Sequence, residues 1–492
     1  MIDTAALREK VLDLAIRGKL VPQDPNDEPA SVLLERIHEQ KLQMVCEGKL
    51  KAKDVKDDTI IFKGDDNCYY EKYSDGSVKN IQDEIPFDLP DTWNWVRLGF
   101  VFSHNTGKAL KTSNTNGERL TYITTSNLYW DSFVLESLKE MYFTESEIEK
   151  YTIRKGDLLV CEGGDIGRAA IWTFDYDMRI QNHIHKLRAY YPIETKLYYY
   201  TFYYYKLIGK INGNGIGIQG LSSNVLHNLI VPLPPIQEQT RITAAVNKCF
   251  LTADIIDENE KILQTDIEEL KSKILELAIQ GKLVPQDKND EPASALLERI
   301  RAERKAKLGK KYVESFIYKG DDNCYYENND NNTIETPYDL PENWVFSRLE
   351  EVAWLEDGIR SSVEELPYLD VKTIRGKQNA TMLSSGKIIE KGMQVILVDG
   401  ENSGEVFEVP CRGYMGSTFR ILKVSSYVEI DYIRLILDYY KNLFKDNKTG
   451  SAIPHLNKKI FKSLIIGIPP IEEQKAIVNR VKSVAYILKD EV

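Results

Sequence analysis

The sequence predicts an α+β chain (mixed α/β) in which two globular domains are joined by two long antiparallel coiled-coil helices, with an internal pseudo-twofold repeat and a cyclic organisation. Three observations carry that reading. The stretch Gly18-Lys-Leu-Val-Pro-Gln-Asp24 returns as Gly281-Lys-Leu-Val-Pro-Gln-Asp287, and both copies continue into Asn-Asp-Glu-Pro-Ala-Ser, so a module of about 250 residues occurs twice. A sustained heptad of apolar residues follows Pro235, which is the pattern of a coiled-coil seam. The first residues of the chain continue the heptad that its last residues begin, as if a circle had been opened inside one helix.

Taken in order, residues 1–17 are expected to form a helix that completes the distal coiled coil, with Leu7, Val11 and Leu14 at the positions of Leu270, Ile274 and Leu277. This helix should dock at the C-terminal helix and, together with it, pair antiparallel with the central one. The alternative is that the terminal segments are independent amphipathic helices on their own domains. Residues 18–92 form a connector that carries Phe62-Lys-Gly-Asp-Asp-Asn-Cys-Tyr-Tyr-Glu71 and ends at Asp88-Leu-Pro-Asp-Thr-Trp93. Residues 93–233 are a first insert of many short strands. Within it, Arg154 to Arg168 reads as a turn, a buried strand and a Gly-rich turn, followed by a second strand at Ala169 to Thr173. The tract Leu197-Tyr-Tyr-Tyr-Thr-Phe-Tyr-Tyr-Tyr-Lys206 reads as a helix with tyrosines partly in the core, because its counterpart Asp431 to Tyr440 is an ordinary amphipathic segment.

Residues 234–280 are the central helix, opened by Pro234-Pro-Ile-Gln-Glu-Gln239 and stopped by Gly281. Its seam is Ile242, Val246, Cys249, Ala253, Ile256, Leu263, Ile267, Leu270, Ile274 and Leu277, and its length would be roughly 65 Å. The second connector, 281–343, repeats the first through Tyr318 to Glu327 and Asp339-Leu-Pro-Glu-Asn-Trp344. A second insert, 344–468, and a distal helix, 469–492, complete the chain. That helix opens with Pro469-Pro-Ile-Glu-Glu-Gln474 and places Ile477, Val481, Val484 and Leu488 on its seam. Between the Trp and Pro-Pro landmarks the copies diverge almost completely, which implies a common scaffold carrying two readers of different specificity.

Composition narrows the function. No run approaches the ~20 apolar residues of a membrane helix, and Met1 to Lys10 lacks the basic start and apolar core of a signal peptide, so the expected location is cytoplasmic. The six cysteines contain no Cys-x-x-Cys and the six histidines form no ligand set, so reduced thiols and no metal are expected. The net charge is -11, yet the first insert holds 15 Lys/Arg against 13 Asp/Glu and the second 17 against 16. The acidity therefore sits on the frame, and contact between the inserts and a polyanion is permitted.

The candidate contact loops are Gly215 to Asn224 and its counterpart Gly450 to Lys459. Their glycine, amide, hydroxyl and lysine groups suit phosphate clamping and base-edge contacts. The DNA-binding candidates are Lys206, Lys210, Gly215, Gln219, Ser222, Ser223 and Arg168 in the first insert. In the second they are Lys445, Lys448, Gly450, Ser451, His455, Asn457, Lys458 and Lys459. A solvated turn entering a helix is the other reading of both loops. Glycines in the turn before Arg168 serve backbone geometry or close approach to phosphate.

Catalytic machinery is not evident. Gly215-x-Gly-x-x-Gly220 formally matches a dinucleotide fingerprint, but Pro232, Pro234 and Pro235 stand where a βαβ unit would continue. There is no Walker A loop, no Asn/Asp-Pro-Pro-aromatic motif and no nucleophile set at a familiar spacing.

Together, the duplicated frame, unlike inserts, heptad helices and paired Gly-Lys-Leu-Val-Pro-Gln, Leu-Pro-x-x-Trp and Pro-Pro-Ile-x-Glu-Gln motifs resemble the specificity subunit of type I restriction-modification systems. The resemblance covers essentially the whole chain. It implies a non-catalytic subunit whose inserts are target recognition domains, each reading half of an asymmetric bipartite site in double-stranded DNA, with the helices setting the spacer. It further implies two methyltransferase (modification) subunits that carry S-adenosylmethionine and methylate adenine, and restriction/translocase subunits that use ATP and Mg²⁺; this chain itself would hold no cofactor. The readings left open are a coiled-coil protein-interaction scaffold without DNA binding and a self-sufficient DNA-modifying enzyme.

Overall fold

A computed structural model describes residues 2–56, 58–110, 115–211, 221–328, 330–447 and 455–490. The chain divides into two compact units, Met1–Glu260 and Lys261–Val492. One helix, Ile236–Ile279, contributes residues to both. Its 44 residues correspond to ~66 Å, and it starts and ends within a residue or two of the positions its Pro-Pro opening and Gly281 predict.

The first unit begins with the N-terminal helix Thr4–Ile16, capped by the Asp3 carboxylate, which accepts from the Ala6 N–H at 2.9 Å. This helix runs antiparallel along the central helix. The Ile2 N–H donates to Glu260 at 3.1 Å, the Thr4 hydroxyl to Asp257 at 2.6 Å, and Arg8 to Asp254 at 2.6 Å and Asp257 at 2.8 Å. Farther along, Val11, Leu12, Ala15 and Ile16 share one core with Ile242 and Val246. The tyrosine-rich segment is a helix, Thr195–Leu207, packed on the same core, with Tyr198, Tyr204 and Tyr205 fully buried. The Tyr204 hydroxyl donates to Asp13 of the N-terminal helix at 2.7 Å.

This second neighbour changes which face of the N-terminal helix is covered. Leu7 is exposed and Leu14 only half-buried, whereas Leu12, Ala15 and Ile16 are sealed. A helix flanked by two others buries a broader stripe than a two-stranded seam requires. On the central helix Ile242, Val246, Ala253, Ile267 and Ile274 are buried as the heptad predicts, with Ile256 and Leu277 half-buried. Leu263 and Leu270 are not: both are more than two-fifths exposed. Between Leu263 and Ile274 only one of the two alternating apolar rows is covered, which corrects the expectation of a continuous buried seam. In the distal helix Ile471–Asp490, Ile477 is buried and Val481, Val484 and Leu488 are half-buried. The expected meeting of the chain ends involves Met1, Glu491 and Val492, which lie outside the described residues.

Each connector holds one amphipathic helix and a small meander. In the first unit these are Ala30–Cys46 and the antiparallel strands Ile60–Lys63, Tyr69–Lys72 and Val78–Asn80. In the second they are Ala293–Leu308 and Ile317–Lys319, Tyr325–Glu327 and Asp330–Ile334. Ala30, Leu33 and Ile37 anchor the first helix; Ala293, Leu296, Leu297 and Ile300 anchor the second.

The inserts are alike in topology despite their unlike sequences. Each is closed by an antiparallel pair at its base, Asn94–Arg97 with Ile230–Leu233 and Val345–Arg348 with Ile465–Ile468. In the first, an antiparallel sheet runs Phe102–Thr106, Ile184–Ala189, Leu158–Cys161, Ala169–Ile171. In the second, the same order runs Ala353–Glu356, Phe419–Val424, Gln394–Leu397, Val406–Glu408. A further sheet in each contains one parallel pair, Met178–Ile180 beside Glu118–Ile123 and Gly413–Met415 beside Leu366–Leu369. No helix among the described residues is long and apolar enough to cross a membrane, and no group of three or more His, Cys, Asp or Glu among them could hold a metal ion.

Candidate nucleic-acid interface

The sheet hairpin Leu158–Cys161 to Ala169–Ile171 ends in the Gly-rich turn singled out in the sequence. The turn needs its glycines for two reasons. Gly164 and Gly167 take φ of +72° and +80°, the left-handed region that side chains disfavour. A Cβ on Gly167 would also lie 2.6 Å from Cγ2 of Ile211. Ile211 is the last described residue before the first candidate contact loop, and Leu221, within that loop, is the next described one.

Leu221 is fastened to the same turn, since its N–H donates to the Glu162 carbonyl at 2.8 Å while the Glu162 N–H donates to the His183 carbonyl at 3.0 Å. Ile211 and Leu221, the described residues on either side of 212–220, thus both lie on one hairpin. A histidine pair reinforces the second anchor. His185 Nε2 lies 2.7 Å from the Leu221 carbonyl, and its Nδ1 lies 2.7 Å from His104 Nε2. A carbonyl only accepts, so His185 donates from Nε2, and in its neutral form it accepts at Nδ1 from His104 Nε2. Burial agrees with that state: it pushes His104 down to about 4, with His185 adding to the effect, and lowers His185 too.

The second unit repeats the device with other residues. Gly404, at φ +104°, faces Phe444, and a Cβ added to it would lie 3.1 Å from the Phe444 Cβ. The Leu456 N–H donates to the Val398 carbonyl at 2.8 Å, and the Val398 N–H donates to the Thr418 carbonyl at 2.8 Å. His455 Nδ1 meets the Asp399 carboxylate at 2.6 Å. Phe444 and Leu456, on either side of 448–454, therefore also lie beside one hairpin turn.

The predicted contact residues divide into three groups. Gly215, Gln219, Lys448, Gly450 and Ser451 lie outside the described residues. Ser222 caps the short helix Ser223–His227, its side chain accepting from the Val225 N–H, and Ser223 opens it; both are exposed. Asn457 caps Lys458–Ser463 by accepting from the Lys459 and Ile460 N–H groups, which leaves Lys458 and Lys459 exposed at its start. Lys445 is exposed on Lys441–Asp446.

Lys206, Lys210 and Arg168 are engaged within the fold instead of standing free on the approach to the loop. Lys206 donates to the Ile166 carbonyl at 2.8 Å and pairs with Asp165 at 3.0 Å. Lys210 donates to the Glu84 carbonyl at 2.6 Å, and burial lowers its pKa. Arg168 donates to the Thr125 carbonyl at 2.6 Å and lies over the Tyr129 ring at 5.0 Å. These cations brace the loop's base. Sequence reasoning missed the anchors Glu162, His104, His185, Val398 and Leu456. The strand starts at Ile184, which leaves His183 exposed beside Glu162 while His185 is buried.

The family described as "Type I restriction modification DNA specificity domain" matches residues 90–264 and 341–491. Among curated proteins, the chain is similar to the type I restriction enzyme EcoAI specificity subunit of Escherichia coli, at 25% identity over 96% of this chain and 87% of that one. It is similar to the EcoEI specificity subunit of Escherichia coli at 28% identity, over 70% of this chain and 61% of the relative. Among solved structures, the HsdS subunit from Thermoanaerobacter tengcongensis is similar with a TM-score of 0.45 and 19% identity, covering 83% of this chain and 92% of that one.

Proposed function

The chain belongs to the type I restriction modification DNA specificity family, and from that premise we propose that it is the DNA sequence-recognition subunit of a type I restriction-modification complex, reading an asymmetric bipartite site with one insert on each half. The observation that carries the reading is the repeated loop seat. In each unit the chain just after the undescribed part of the candidate loop is held on a glycine hairpin, through Glu162 and Leu221 in one copy and Val398 and Leu456 in the other, and Ile211 or Phe444 before it packs on a glycine of the same hairpin. Recognition needs groups that are placed rigidly yet differ between half-sites, and the frame is common while the loops differ. The central helix supports a spacer role, because a rod of ~66 Å spans more than one turn of DNA.

In this reading the chain does no chemistry. Methylation of adenine belongs to two methyltransferase subunits that carry S-adenosylmethionine, and restriction to translocase subunits that use ATP and Mg²⁺. The proteins to which the chain is similar are named specificity subunits, which supports a non-catalytic role. Domain limits follow the repeat: recognition domains at 93–233 and 344–468, connectors at 18–92 and 281–343, and helices at 1–17, 234–280 and 469–492.

The test is methylome sequencing of a host that expresses this chain with its methyltransferase, against the same host lacking only this chain. Loss of methyladenine from one asymmetric bipartite motif is the expected result. An unchanged methylome, with the methyltransferase shown to be expressed, overturns the reading.

A further inference from the structure

The two connector helices do the same packing job with different charge. Ala30–Cys46 carries Arg36 and Lys41 against Glu35 and Glu39, and Lys41 is buried on Asp58 at 2.5 Å. Ala293–Leu308 carries Arg299, Arg301, Arg304, Lys305 and Lys307 against Glu298 and Glu303, and Lys310 and Lys311 follow directly. The shared apolar anchors show that packing asks for the same buried face in both copies. Of the added cations Arg299, Arg301, Arg304 and Lys307 are engaged within the unit by Glu291, the Phe316 ring, the Trp354 ring and Glu303, whereas Lys305, Lys310 and Lys311 are not among the ion pairs of the described residues.

A second element of the same unit changes in the same sense. Ser223, Asn224 and His227 on the short helix in which the first contact loop ends correspond to Lys458, Lys459 and Lys462 where the second ends. The two basic elements meet. Arg304, Arg420, Lys458 and Lys462 line a cleft of about 240 Å³ together with only two carboxylates, Glu350 and Asp357. Asp357 is occupied by Arg420 at 3.0 Å and Lys387 at 2.8 Å, and Glu350 by Lys462 at 3.4 Å. Trp354 holds the helix side in place, with Arg304 and Lys307 over its ring at 4.5 and 5.0 Å. Among the described residues Lys305, Lys310, Lys311, Lys458 and Lys459 have no ion-pair partner within 4.0 Å, and all five are exposed.

We propose that the helix Ala293–Leu308 with Lys310 and Lys311, and the helix Lys458–Ser463, form one basic face that grips the DNA phosphate backbone outside the recognised bases, so that the second repeat supplies most of the electrostatic part of binding. This rests on the recognition reading above and adds to it an unequal division of labour. Base contacts specify and phosphate contacts position. An acidic frame facing a polyanion needs a local patch of opposite sign, and one strong anchor lets the other insert sample its half-site without losing the duplex.

The experiment measures binding of the full chain, assembled with its methyltransferase, to a duplex bearing the target found by methylome sequencing and to a scrambled duplex, across a salt series. One variant combines Lys305→Gln, Lys307→Gln, Lys310→Gln and Lys311→Gln; a comparison variant combines Lys49→Gln, Lys51→Gln, Lys53→Gln and Lys56→Gln in the first connector. A lysine that neutralises one phosphate contributes ~0.9 to the slope of log affinity against log salt. The first variant is expected to lose about 2 to 4 from that slope on both duplexes with its target preference kept, and the comparison variant less than half as much. An unchanged slope in the first variant, at unchanged melting temperature, overturns the proposal, as does an equal loss in both variants. Wild-type complex that fails to distinguish target from scrambled duplex would instead sink the recognition reading.

Discussion

The indole N–H of Trp93 donates to the carboxylate of Glu238 at 2.9 Å in the interior of the first unit. The Gln23 amide donates to the other oxygen of the same carboxylate at 2.6 Å. In the second unit Trp344 and Gln286 hold Glu473 at 2.9 and 2.6 Å. The three motifs that mark the repeat, far apart in sequence, therefore converge on one buried glutamate per copy. Removing that acceptor leaves two donors short of partners, so Glu238→Ala and Glu473→Ala should each cost about 2 to 4 kcal/mol. The check is the urea midpoint of each variant against wild type; a change below ~0.5 kcal/mol would show that water replaces the carboxylate freely.

Acid and base should act oppositely on two sets of buried glutamates. Burial pushes Glu238 and Glu473 above the ordinary carboxyl range, with the Trp and Gln donors pulling against it. Their folded forms take up a proton more readily than the unfolded chain, so the stability they contribute is complete below the unfolded pKa and is lost as pH rises through the raised folded value. Burial also raises Glu71, but hydrogen bonds from Arg97 and Thr59 outweigh it and the net shift is downward. Stability from Glu71 is thus present above the unfolded pKa and lost as pH falls through the folded one. Relative to wild type, Glu238→Gln should gain stability as pH rises from about 4 to 7, and Glu71→Gln should recover ground as pH falls toward about 3. Parallel pH profiles for the two variants would contradict the assignment.

Gly18 and Gly281 are required twice over. Both take φ +67°, and a Cβ would lie 2.6 Å from Pro90 Cγ at one and 2.5 Å from Pro341 Cγ at the other. Strained backbone and a clash with a rigid ring add, so Gly18→Ala or Gly281→Ala should cost roughly 1 to 3 kcal/mol. Gly48→Ala is the internal comparison: it shares the positive φ but meets nothing within 4 Å, and should cost less in the same thermal melt.

The frame was legible because repetition states it twice and because heptads and Pro-Pro or Gly punctuation have direct helical meaning. The common topology of the inserts was not. Phe102–Thr106 and Ala353–Glu356 occupy the same sheet edge with almost no residue in common, since a strand needs only alternation and a partner. The loop anchors were hidden for a related reason. Glu162, Leu221, Val398 and Leu456 act through backbone groups, and the pairing of backbone groups leaves no mark on residue identity. Seam rows failed where a third helix entered, as Leu12 and Ile16 replaced Leu7 and Leu14.

Removal of residues 1–17 should lower the melting temperature of the first unit markedly. The deleted helix supplies Leu12, Ala15 and Ile16 to the core, all at 0% exposure, and Asp13 to the Tyr204 hydroxyl. Leu12→Ala alone should cost about 2 to 5 kcal/mol by opening a cavity, whereas Leu7→Ala, at an exposed position, should change stability by no more than ~0.5 kcal/mol. Equal effects of the two substitutions would restore the simple seam and count against the three-helix packing.

Lys458 and Lys459 stand exposed at the start of the helix that Asn457 caps, where the second contact loop ends. Their ammonium groups lack ion-pair partners among the described residues, so reversal to glutamate removes two potential phosphate contacts without orphaning a carboxylate. Lys458→Glu with Lys459→Glu should weaken binding to target and scrambled duplexes alike and reduce the salt slope by about 2. The Asn457 cap is undisturbed, and the fold should hold its melting temperature. Should affinity fall only on the target duplex with the slope intact, the two lysines read bases through hydrogen bonds; an unaltered affinity and slope would remove them from the interface. The first insert offers the contrast, because Ser223 and Asn224 at the matching place carry no charge, and replacing both with alanine should leave the salt slope unchanged while altering the sequence preference of that half-site.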